Sequence, residues 1–183
     1  MSGIASRAQL RMSFLRWALV CVPGVLLLGF LSGSGTRASL ASWYDRLDKP
    51  GFTPPDWIFP LVWPVLYVLL GLALAIVLNA RGARGRRVAI ALFSGQLALN
   101  LAWTPVFFGA HQVKAALLVI AGMIGLTIGT IGAFRRVRPL AAWLMIPYLL
   151  WIVFAAALNW SILQRNPNAG RVASASVSTQ ILR

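Results

Sequence analysis

The sequence predicts an all-α integral membrane protein, a bundle of five transmembrane helices. Three observations carry this. Apolar residues make up 59% of the 183 residues and charged residues only 11%, against about 25% charged in an ordinary soluble domain. The apolar residues gather into five runs, each of about 20 residues, long enough for a helix rising about 1.5 Å per residue to cross a hydrocarbon layer of roughly 30 Å. Alternation at period two is missing from these runs, which argues against barrel strands.

A basic segment, residues 1–13, precedes the first run at residues 14–31. Arg7, Arg11 and Arg16 followed by an apolar stretch and Ser32, Gly33 and Ser34 also fit a secretory signal,. Retention is expected, because losing this helix would leave four spans and a bundle open on one side. Cys21 lies inside the run and is the single cysteine, so no intrachain disulfide is possible and it is read as a packing residue,. The remaining runs are 57–79, 88–108, 113–134 and 140–163, completing one membrane domain over 14–165. Connections after the second, third and fourth runs are short, so consecutive helices there should be antiparallel neighbours.

The first loop, residues 32–56, is different. It holds all three acidic residues, Asp45, Asp48 and Asp56, and Pro50, Pro54 and Pro55 stiffen it without requiring a hydrogen-bonded element,. A long, stiff, aromatic-bearing loop reads as a lid. The Ser/Ala/Val-rich tail, 166–183, is expected to be disordered. No internal repeat supports an inverted-repeat transporter.

The formal net charge of +14 would suggest nucleic acid on a soluble chain. Here the basic residues sit at the ends of apolar runs, as in Arg81, Arg84, Arg86 and Arg87 or Arg135, Arg136 and Arg138, where they hold helix ends at the headgroups. No nucleic acid partner is expected. The N-terminus, second loop and fourth loop share one side and carry most of this charge, which predicts a cytoplasmic N-terminus and an outward-facing lid.

The interior of the spans holds no Asp, Glu, Lys or His, unlike ion-coupled carriers and pumps, and there is no phosphate-binding loop. His111 is the lone histidine, in the third loop, and is read as a solvated loop residue; no metal site follows. The polar and aromatic residues do form patterns. Gln96, Asn100, Trp103 and Phe107 fall on one face of the third span, and Trp151, Ala155, Leu158 and Asn159 repeat the theme on the fifth,. The second span adds Trp63 and Tyr67. Amides in lipid are costly without partners, so these faces should point into the bundle.

Such faces can be helix–helix glue with aromatics filling the core. Two facts favour a ligand pocket instead. Eight Trp exceed what two interfacial belts need, and Trp63, Trp103 and Trp151 lie well inside their spans,. Ala155, Ala156 and Ala157 also leave room beside the Trp151 indole. Indole planes, space and a few amides suit a flat conjugated ligand.

The segments WYDRLDKPGFTPPDWIFPLVWPVLY (43–67), GQLALNLAWTPVFFGA (95–110) and PYLLWIVFAAALN (147–159) resemble the first loop with second helix, the third helix and the fifth helix of the TspO family of tryptophan-rich sensory and translocator proteins. The resemblance implies a five-helix bundle, usually a homodimer, in a bacterial cell membrane. It also implies a pocket beneath the first loop for porphyrins and other flat apolar ligands, with no cofactor required. Its ligand-binding residues would be Trp63, Tyr67, Asn100, Trp103, Phe107, Phe108, Trp151 and Ala155. Trp43, Tyr44, Pro54, Pro55 and Trp57 fall on the lid, and Arg46 or Lys49 would meet a porphyrin's propionates.

The animal sterol motif centres on a Tyr soon followed by Arg, whereas this chain has Trp160 in that place and Arg165 displaced, which favours tetrapyrrole over sterol. Small residues recur every four positions at Ser94, Ala98 and Ala102 and at Gly125, Gly129 and Ala133, allowing close helix approach. The resemblance places the dimer interface on the first set. No catalytic residue is assigned, since no acid–base or nucleophilic constellation exists. The resemblance leaves transport and light-dependent porphyrin degradation, with Trp63 and Trp151 as electron donors, as alternatives to sensing.

Overall fold

The computed structural model describes residues 7–35 and 43–167, and among these every regular element is helical. The helices are α1 (Arg7–Ser34), α2 (Ile58–Asn79), α3 (Arg86–Thr104), α4 (Val113–Val137), α5 (Pro139–Leu144) and α6 (Ile146–Arg165). A 3-10 turn at Tyr44–Arg46 sits in the first loop, and a π turn at Pro105–Gly109 extends α3. Five stretches are long and apolar enough to span a membrane: Met12–Ser34, Ile58–Asn79, Arg86–Gly109, Val113–Val137 and Pro139–Arg165. The protein is a multi-pass membrane bundle. The expected disordered tail lies, beyond Pro167, outside the described residues.

The helices close a ring. α1 packs on α2, α3 on α4, and α4 on α5 and α6, while α2 reaches α5 and α1 touches α3. Small residues set the approaches. A side chain at Gly71 would put its Cβ within 2.7 Å of the Val22 backbone, and one at Gly29 would fall on the Tyr67 ring. Between α3 and α4, a Cβ at Gly122 would come 3.2 Å from Leu99 and one at Gly129 3.8 Å from Leu92, so leucines of one helix seat over glycines of the other.

Two prolines break the expected regularity. Pro147 cannot donate to the Trp143 carbonyl, and the fifth span, expected as a single helix over 140–163, divides at Met145 into α5 and α6. Pro105 likewise cannot donate to the Leu101 carbonyl. Ser32 of α1 supplies the missing donor, its Oγ lying 2.7 Å from that oxygen. The chain then widens into the π turn, where the Ala110 N–H donates to the Pro105 carbonyl at 2.8 Å,.

At the other end of the bundle Arg86 closes α2, donating from Nε to the Val77 carbonyl at 3.1 Å and from Nη2 to the Leu78 carbonyl at 2.9 Å. A cation on these C-terminal carbonyls satisfies groups that the helix leaves unpaired.

Candidate ligand-binding site

Toward the first loop the bundle holds a cavity of about 1000 Å³, at the upper end of the roughly 300–1,000 Å³ common for small-molecule sites. Its aromatic wall is built at helical spacing. Phe59, Trp63 and Tyr67 lie on one face of α2, Trp103 with Phe107 and Phe108 on α3 and its π turn, and Trp151, Ala155, Leu158 and Asn159 on α6. The opposite wall is α1, from Leu26 to Ser34. Leu27 and Phe30 are exposed there, as are Pro60 and Pro64 on α2. The cavity therefore opens sideways between these two helices.

The rings contact edge to face more than they stack. Trp63 meets Trp151 at 6.4 Å between centroids and 86°, and Phe59 meets Trp151 at 5.9 Å and 70°. Trp103 and Phe107 are stacked at 5.1 Å. Such pairs hold the indoles in place while leaving faces toward the void.

Seven of the eight residues expected at the ligand line this cavity: Trp63, Tyr67, Trp103, Phe107, Phe108, Trp151 and Ala155. Asn100 does not. Its Oδ1 accepts from the Tyr67 hydroxyl at 3.0 Å and its Nδ2 donates to the Tyr148 hydroxyl at 3.1 Å, clasping α2, α3 and α6 behind the indoles. It borders only a void of about 10 Å³ with Trp63, Trp103 and Ala155. Gln96 is fully buried, and neither of its amide atoms has a partner among the described residues.

The loop behaves as a plug. Trp43, Tyr44 and Leu47 are buried against Phe107, Val113 and Ile162, with Trp43 at 5.5 Å from the Phe107 ring and Tyr44 at 5.6 Å from that of Phe108. Asn166 ties it to α6, its Oδ1 accepting from the Asp48 N–H and its Nδ2 donating to the Asp48 carbonyl, both at 2.9 Å. Arg165 adds an ion pair to Asp48 at 3.5 Å. Burial, then the nearby Asp56 and Asp45 carboxylates, push the Tyr44 phenol up to about 12,.

Several expectations change here. Among the described loop residues after α1, Tyr44, Asp45 and Asp56 line the cavity; Trp43 packs behind it, and Pro54, Pro55 and the exposed Trp57 are not part of its lining. Neither Arg46 nor Lys49 lines it. Lys49 is engaged by Asp45 at 3.3 Å and lies 4.3 Å from the Tyr44 ring centre. His111, expected in solvent, is half-buried against Trp43 at 4.5 Å between ring centroids, and its Nε2 is buried. The reason is the plug itself, which brings Trp43 down onto the third loop.

A family model described as TspO/MBR family matches residues 20–165. The chain belongs to the TspO/MBR family. It is 42% identical over 150 residues to a tryptophan-rich protein TspO of Chlorobaculum tepidum, covering 81% of this chain and 94% of that one. It is 39% identical over 149 residues to a tryptophan-rich sensory protein of Cereibacter sphaeroides, covering 78% and 92%. A translocator protein of Ovis aries is 39% identical over 152 residues, covering 82% and 88%.

Within this TspO-family bundle the sequence patterns missed the α1 wall, the lining by Asp45 and Asp56, and Tyr148. Tyr148 is three residues before Trp151, so the helical face that found Trp151 could have found it. Phe59 was equally within reach, four residues before Trp63. The α1 wall carries no amide or indole, and only Gly29 and Gly33 at a spacing of four mark it.

Proposed function

We propose that this TspO-family protein binds a tetrapyrrole such as protoporphyrin in the membrane and acts as a sensor or regulator of porphyrin metabolism and stress. The supporting observation is the cavity: about 1000 Å³, walled by Trp63, Trp103 and Trp151, with exposed residues of α1 and α2 on its outer side. A flat macrocycle would enter sideways from the bilayer and lie against the indoles, its affinity coming from apolar area and ring contacts. Relatives named as a tryptophan-rich sensory protein and a translocator protein fit this reading. Titration of purified protein with protoporphyrin, followed by Trp quenching and porphyrin absorbance, tests it: saturable binding at one site per chain is expected, and its absence removes the reading.

A second reading, light-dependent porphyrin degradation, is favoured by the contact of Trp63 with Trp151 at the cavity wall, where an indole could donate an electron to an excited ligand. Product formation only under illumination distinguishes it. Ligand accumulation in sealed vesicles would identify transport.

The assembly proposed is a homodimer through α3, where Ser94 and Ala98 are exposed on the outer face and Ala102 partly so, with the N-terminus in the cytoplasm of a bacterial cell. Ala98→Phe should dissociate the dimer in detergent. Labelling of a cysteine at position 85 by an impermeant reagent outside intact cells would reverse the orientation. Arg37, a basic residue of the first loop, lies outside the described residues.

A further inference from the structure

The end of the bundle away from the first loop carries charge of one sign. Arg81, Arg84 and Arg87 at the second loop and Arg135, Arg136 and Arg138 at the fourth are all exposed, while the chain's three acidic residues lie in the first loop at the opposite end. No carboxylate side chain at this end offsets the cluster. Leu92 of α3 seats over Gly129 of α4 and Leu126 over Gly95, so following this antiparallel register about a turn and a half further sets Arg87 beside Phe134 and Arg135. The two loops share one corner. Arg86 ties the start of α3 to the last carbonyls of α2, α5 packs on both α2 and α4, and Gly82 and Gly85, at φ 77° and 78°, turn the second loop tightly,. Beneath the arginines Val77, Ala89, Phe134 and Ala141 are fully buried. The charges therefore stand on a packed floor.

The same helix ends also expose apolar surface: Val88 follows Arg87, and Leu140 and Trp143 share a face of α5 just past Arg138,. A soluble anion has no use for that surface, whereas an amphiphile sets its headgroup on the arginines and its chains against the helices. We infer that this corner is a binding site for an anionic lipid whose headgroup carries two phosphates, one received by the arginines of each loop. Phosphate suits the guanidinium fork. Both phosphates arrive in one binding event, whereas single-phosphate lipids must be gathered one by one, so the site is selective beyond the general hold of basic residues on headgroups. It is independent of the cavity and of what fills it.

The test uses the full chain in a neutral detergent, with Kd for added lipid read by native mass spectrometry. The probes are tetraoleoyl cardiolipin, dioleoyl phosphatidylglycerol at matched phosphate, and dioleoyl phosphatidylcholine, with inorganic pyrophosphate as a soluble competitor. Cardiolipin should bind one per chain and at least about five-fold tighter than phosphatidylglycerol, and phosphatidylcholine should bind weakest. Arg87→Gln with Arg135→Gln should weaken cardiolipin by at least about five-fold, and Arg84→Gln with Arg136→Gln should do the same, since each arginine at an anionic headgroup is worth up to about five-fold before solvent screening. Arg46→Gln with Lys114→Gln removes the same charge from the opposite end and should change it by less than about two-fold. Arg86 is left intact because it closes α2, and helicity and thermal unfolding without lipid are checked on each variant. Phosphatidylglycerol binding as tightly as cardiolipin overturns the inference, and equal losses from both ends reduce the effect to net charge and overturn it too. Pyrophosphate displacing cardiolipin at matched phosphate would make this a site for soluble phosphates, which also ends the lipid assignment.

Discussion

Asn100→Leu separates a ligand contact from a structural clasp. The substitution removes two hydrogen bonds, from the Tyr67 hydroxyl at 3.0 Å and to the Tyr148 hydroxyl at 3.1 Å. Interhelical bonds in membranes average about 0.6 and reach about 1.7 kcal/mol each. Tyr148 is fully buried, so its hydroxyl would be left without a partner in an apolar setting, adding about 1–3 kcal/mol. The expected loss is about 2–4 kcal/mol, read from denaturant unfolding in mixed micelles by helicity. Asn100→Leu with Tyr148→Phe removes the orphaned hydroxyl and should recover at least about 1 kcal/mol. Protoporphyrin affinity, measured on folded Asn100→Leu protein, should change by less than about three-fold, or about 0.6 kcal/mol. Unchanged stability with a large loss of affinity would refute the clasp and place Asn100 at the ligand, as the family resemblance implies.

Trp63→Phe and Trp151→Phe should each weaken porphyrin binding by about 1–2 kcal/mol, since indole area and edge contacts are lost; absorbance of the bound porphyrin reports this, and unchanged affinity in both returns the indoles to a packing role. Gly71→Ala should destabilise the bundle by about 1–3 kcal/mol because the new methyl meets the Val22 backbone,, whereas Gly24→Ala, with nothing within 4 Å, should not. Alkaline pH should loosen the plug. Tyr44 ionises more easily in the unfolded chain, near its ordinary value of 10.0, than in the fold, where it is pushed up to about 12, so above the lower value the unfolded state binds fewer protons and stability falls. Its contribution is complete below pH 10 and is lost as pH rises toward about 12; Tyr44→Phe should remove that part of the alkaline loss in a thermal unfolding series.

What the sequence makes legible follows from periodicity. Five apolar runs with basic ends define the spans because lipid demands helices of that length, and the helical face of Trp151, Ala155, Leu158 and Asn159 reaches the cavity intact. What it hides depends on where separate helices meet. Asn100 shares a face with Trp103 and Phe107, yet the Tyr67 and Tyr148 hydroxyls claim both ends of its amide. Arg46 and Lys49 are the basic residues nearest the pocket in sequence, but Lys49 turns to Asp45, four residues earlier in the chain. The wall from α1 is nearly featureless in sequence because a lipid-facing helix and a cavity wall draw on the same residues.

The cavity itself follows from an uneven distribution of side-chain size along the bundle. At the end near the second loop, Ala73, Ala75, Ala80, Ala89, Ala141 and Ala142 are all buried, and Gly71 lets α1 and α2 touch backbone to backbone. At the opposite end Trp63, Trp103, Phe107, Phe108 and Trp151 stand where alanines would otherwise sit, and rings locked edge to face cannot collapse into the space between them. In water such a gap would be closed by the hydrophobic effect, but lipid gives apolar helices little reason to draw together beyond contact itself. The aromatics therefore act as both wall and strut. The plug of Trp43 and Tyr44, tied down through Asp48 to Asn166, covers the loop end of the bundle, and among the described residues the exposed Leu27, Phe30, Pro60 and Pro64 of α1 and α2 form the outer rim of the cavity.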